Sequence, residues 1–97
     1  MRGVTQTDLM AAARVLLSAP APLRYTLARS MIAQASAADT YRQEHHRLHP
    51  RHGNGTLLSV ALQRPSAAPA TPGDPEYLSC MALMIEVILD RYSLPNP

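Results

Sequence analysis

Asp74-Pro75-Glu76-Tyr77-Leu78-Ser79-Cys80-Met81-Ala82-Leu83-Met84-Ile85-Glu86-Val87-Ile88-Leu89-Asp90-Arg91-Tyr92 is the stretch on which the fold class turns. Asp74 is a helix-capping residue, Pro75 suits a first helical position, and Glu76 puts an acid in the first turn. No Pro or Gly then interrupts the chain before Tyr92. At about 100° per residue, the core face comes out as Leu78, Met81, Ala82, Ile85, Ile88, Leu89 and Tyr92. Ser79, Glu86 and Asp90 mark the wet side. Leu83 and Val87, however, project on that polar side, and Cys80 and Met84 bridge toward the core face. The apolar arc therefore exceeds half the circumference. Such a helix is either central in its bundle or covered by another chain. The second alternative makes Cys80, Leu83, Met84 and Val87 a candidate surface for a protein partner or a homodimer.

Working backwards, residues 65–73 (Pro-Ser-Ala-Ala-Pro-Ala-Thr-Pro-Gly) have no hydrophobic period and read as an extended linker. Before it, Asn54 or Thr56 can cap a short helix through about Gln63, with Leu57, Leu58, Ala61 and Leu62 inward. His49-Pro50-Arg51-His52-Gly53-Asn54-Gly55 is a turn by composition. The longest helical pattern runs from about Pro22 to Leu48, with Leu23, Leu27, Met31, Ala38, Tyr41, His45 and Leu48 on one face. Ala28, Ala35 and Ala38 keep its surface thin enough for a close neighbour. A first helix opens at the capping-box-like Thr5-Gln6-Thr7-Asp8, carries Leu9, Met10, Ala13, Leu16 and Leu17 on one arc, and stops at Pro20. No segment alternates with period two. The expectation is an all-α fold, a small antiparallel bundle of about four helices forming one domain over 1–97.

The chain has 97 residues, which leaves room for one core only. Leu, Val and Ile supply 13, 4 and 3 residues, Phe none, and 15 Ala swell the apolar total, so that core is lean. No run of apolar residues is long enough for a membrane span. No basic start followed by an apolar run marks a secretory signal. The lone Cys80 excludes an internal disulfide and fits a reducing compartment, so the expectation is a cytoplasmic protein. All nine basic residues are Arg, and the net charge is only +2. Residues 1–48 hold six Arg against Asp8, Asp39 and Glu44; residues 49–73 hold Arg51 and Arg64 with no acid; residues 74–97 set Arg91 against four acids. The basic and acidic segments either compensate within the fold or leave an electropositive face.

His45, His46, His49 and His52 cluster at the end of the long helix. His45 and His49 are four apart, as a transition metal would require, but Pro50 follows at once and no carboxylate or Cys completes a tetrahedral set. A polar helix end, with imidazoles near the free carbonyls, accounts for them, so no metal or other cofactor is expected. With Arg42, Arg47, Arg51, His52 and Asn54 the same corner forms the alternative candidate site, a surface for nucleic acid or another polyanion. Phe and Trp, which would stack on bases, are missing. Nucleophile elbows, phosphate loops and paired zinc motifs are absent too, so neither an enzyme nor a small-molecule substrate is expected. The expected function is a non-enzymatic interaction or regulatory module working through its last helix.

Ala35-Ser36-Ala37-Ala38-Asp39-Thr40-Tyr41-Arg42 and His49-Pro50-Arg51-His52-Gly53-Asn54-Gly55-Thr56-Leu57, set among Ala- and Arg-rich helices, resemble an uncharacterised family of short alphaproteobacterial proteins. The resemblance implies a cytoplasmic bacterial protein and carries no activity or site residue with it. It directs attention to the Gly-Asn-Gly turn. Gly53 and Gly55 there permit positive φ, and Asn54 can cap the next helix.

Overall fold

Thr5 begins the first helix as the sequence requires. Its side chain accepts from the Asp8 amide while Asp8 accepts from the Thr5 amide, a complete capping box. In the computed structural model, which describes residues 1–92, α1 spans Gln6–Ser18. A single 3₁₀ turn at Ala21–Leu23 leads into α2, Arg24–His45. Thr56 caps the short α3, Leu57–Ala61, by accepting from the Ser59 amide. The last helix, α4, is Pro75–Tyr92, and Asp74 accepts from the Glu76 amide at its start. Among the described residues the rest is turn and coil, with one isolated bridge between His49 and Gly53, so the fold is all-α.

The radius of gyration is 13.5 Å, close to the ~13 Å of a compact chain of this size, so the Pro-rich segment does not swing out as a tail. Ala67 N–H donates to the Arg14 carbonyl, and Ser18 Oγ to that of Pro65, which straps residues 65–67 along α1. That strap delivers the chain to α4, and α1 packs more extensively on α4 than on any other element. The core interleaves Ala12, Ala13, Ala28, Ala35 and Ala61 with Leu16, Met31, Leu57 and Met84. Alanine at so many contact positions draws the helix axes together, and the few long side chains fill the remaining gaps.

The expected faces need correction on all four helices; on α1, Met10 is exposed, while Ala12 and Val15, outside the expected arc, are buried. On α4 the core face is Tyr77, Cys80, Met84, Val87 and Ile88, while Leu78, Ala82, Ile85, Leu89 and Tyr92 point outward. Three of the four residues offered as a partner surface, Cys80, Met84 and Val87, are thus sealed inside the chain's own core, and Leu83 is half-buried against it. An arc apolar over more than half its circumference leaves its phase open, and the fit of slim Cys80 and flexible Met84 to the Ala-rich core settled it. On α2, Leu23, His45 and Leu48 are exposed, because the helix begins at Arg24 and ends where His46 turns left-handed at φ 55°. On α3, Val60 is buried and Leu62 exposed, since the helix stops at Ala61.

Candidate functional site

Two surfaces stand out once the core is assigned. The first is the outward face of α4. Leu78 is 49% exposed, Ile85 42% and Tyr92 63%, with Ala82 and Leu89 exposed between them. Their steps of four, three, four and three residues form a straight apolar seam along one helix. Glu76 beside it is held by Arg24 at 2.8 Å. Arg24 also donates from Nε to the Leu16 and Ala19 carbonyls and from Nη2 to Leu17, so one guanidinium closes the end of α1 and anchors the start of α4. Sequence reading assigned Arg24 no role, because its partners lie on two other segments.

The second surface is the corner between α2 and α3. Its geometry begins at Asp39, which is buried and meets Arg42 Nη2 at 2.9 Å and the amino terminus at 3.5 Å. The hydrogen bond from Arg42 holds the Asp39 carboxyl below the usual range, helped by the charge of the amino terminus, while burial works the other way. Gly55 lies on Asp39 with φ 91°, and a Cβ there would stand 2.8 Å from Asp39 Cα. Gly53, at φ 82°, similarly backs onto Ser59. Asn54 Oδ1 accepts from the Thr56 amide at 3.0 Å and its hydroxyl at 2.7 Å. Positive φ at both glycines agrees with the sequence, while Asn54 braces the turn and Thr56 is the cap.

Above that turn the rings of His45, Tyr41, His49 and His52 form a ladder. Tyr41 is 4.3 Å from His45 and 5.0 Å from His49, and His49 stacks on His52 at 4.7 Å. His49 Nδ1 accepts from the amides of Arg51, at 2.9 Å, and His52, at 3.1 Å. Burial above all pushes the His52 pKa down, and the guanidinium charges of Arg51 and Arg64 add to it. Among the described residues no three of His, Cys, Asp and Glu are grouped so as to hold a metal ion. Of the residues offered as a polyanion site, Arg47 and Arg51 are exposed, His52 and Asn54 are half-buried, and Arg42 is spent on Asp39. The acceptor role of His49 was not legible in the sequence, because it depends on a backbone turn.

Cys80 behaves as a core residue: burial pushes its thiol pKa up, away from the reactive thiolate. No helix among the described residues is long and apolar enough to cross a membrane.

The fold and its two surfaces thus define a small all-α domain with a lean, Ala-rich core. A family model described as a domain of unknown function (DUF7742) matches residues 2–88, and the chain belongs to that family. No curated protein and no solved structure matches it.

Proposed function

We propose that the protein is a small non-enzymatic interaction module that self-associates through the outward face of α4, laid against the same helix of a second copy. The observation that carries this reading is the seam itself. Single exposed apolar residues are ordinary, but Leu78, Ala82, Ile85 and Tyr92 share one line with the spacing used by packed helix pairs. Ala82, small and near the middle, lets a second helix come close.

Sedimentation equilibrium over a range of concentrations tests this directly. The expected result is a monomer–dimer equilibrium that persists in high salt, because the seam is apolar. Leu78→Glu with Ile85→Glu is expected to give a folded monomer with melting temperature within a few degrees of the parent, since neither side chain is in the core. A parent chain that stays monomeric at every concentration and salt level overturns the reading. So does a double variant that still dimerises.

A further inference from the structure

The turn after α2 contains a group whose protonation state its own contacts define. A ring nitrogen accepting two N–H bonds must offer a lone pair, so in this geometry Nδ1 of His49 carries no proton. Protonation converts Nδ1 from acceptor to donor. Three N–H groups then converge on one point with nothing to receive them: Nδ1–H, the Arg51 amide and the His52 amide.

Among the described residues the surroundings supply positive charge, and no carboxylate pairs with the His49 ring. From α2, Tyr41 faces His49 and His45 lies beyond it. The turn contributes Arg51 and the stacked His52, and Arg64, which follows α3, acts on His52. Glu44 meets the ladder only at its far end, 4.0 Å from His45 Nε2. The backbone of the turn has restraints of its own. His49 N–H donates to the Gly53 carbonyl at 3.0 Å, Asn54 N–H reaches Ser59 Oγ, and Arg2 N–H donates to the Gly55 carbonyl. The imidazole can therefore swing while the amides stay in place. Backbone amides that converge on one point where the neighbouring charge is positive are a receptor for a tetrahedral oxyanion.

We propose that the His49–His52 turn is a proton-gated oxyanion site, which the neutral His49 ring keeps closed by occupying its amides and which protonated His49 opens to a sulfate- or phosphate-type group. An anion held there offsets the charge of His49, Arg51 and Arg64 together, so anion and proton bind cooperatively. This inference is independent of the α4 interface.

Sulfate is a suitable probe because its own charge does not change over the range in question. Amide shifts of Arg51 and His52 and the imidazole ¹⁵N shifts of His49 are followed by NMR at about pH 7.5 and about pH 5.5, in sulfate and in chloride of matched ionic strength. The expected result is saturable sulfate binding roughly tenfold or more tighter at the lower pH, with the His49 midpoint raised by sulfate. His49→Asn supplies a side-chain oxygen for the same two amides and does not titrate. It should retain the turn and lose both the pH response and the sulfate response. Equal sulfate binding at the two pH values overturns the proposal, as does an undiminished response in His49→Asn. Arg51 and His52 amides that ignore pH overturn it as well. Should His49→Asn fail to fold, the comparison between pH values in the parent chain decides alone.

Discussion

Asp8 reaches two helix starts with one carboxylate: one oxygen takes the Thr5 amide and hydroxyl, the other the Leu58 amide in the first turn of α3. Because it is buried, nothing replaces those bonds when it is removed. Asp8→Ala is expected to cost about 2–4 kcal/mol of stability, measured by urea unfolding, against ~1 kcal/mol for Thr56→Ala, which removes a cap from one short helix. Gly55→Ala suffers twice, from the positive φ and from the clash with Asp39, and should lose more than the ~1 kcal/mol of an ordinary left-handed glycine. Asp39 has its folded pKa lowered, so its contribution is complete above the unfolded value of about 3.9 and drains away as pH falls toward the folded one. His52, also lowered, acts in a higher window. The unfolded chain takes up the proton first, so stability is lost as pH falls below about 6.5. Acid titration of the melting temperature should therefore show a descent in each window, and His52→Gln should shrink the upper one and leave the lower one unchanged.

At the scale of elements, the end of α1 depends on a residue from α2. Arg24→Lys retains the charge but loses the planar fork that spans the Leu16, Leu17 and Ala19 carbonyls and Glu76. It should cost about 1–2 kcal/mol, with faster amide exchange confined to the end of α1 and the start of α4. Arg24 also shows where sequence reading stops. Capping is local, so Thr5, Thr56 and Asp74 could be read from their neighbours, as could the turn at Gly53 and Gly55. Helix existence followed from Pro positions and periodicity. Phase did not follow on α4, where Leu78 and Met84 are both apolar and the shape of the opposite surface decides which is buried. The candidate partner surface moved to the other side of the helix for that reason. Met84→Glu should unfold the chain, whereas Ile85→Glu, one position along, should leave its circular dichroism unchanged; opposite outcomes would restore the original face.

At the scale of the whole molecule, the core is assembled from small side chains contributed by every helix, and no pair of helices closes it alone. Single cavity-forming changes such as Leu16→Ala or Leu57→Ala should therefore cost 2–5 kcal/mol, a large share of what so small a domain has. The largest packing contact joins α1 to α4, and everything from Ala19 to Asp74 lies between them. That separation has a consequence in time. A ribosome finishes the Ala-rich face of α1 long before it makes the helix that covers it. Until α4 emerges the nascent chain carries an open flank, and a chaperone able to hold it would stand in the place of α4.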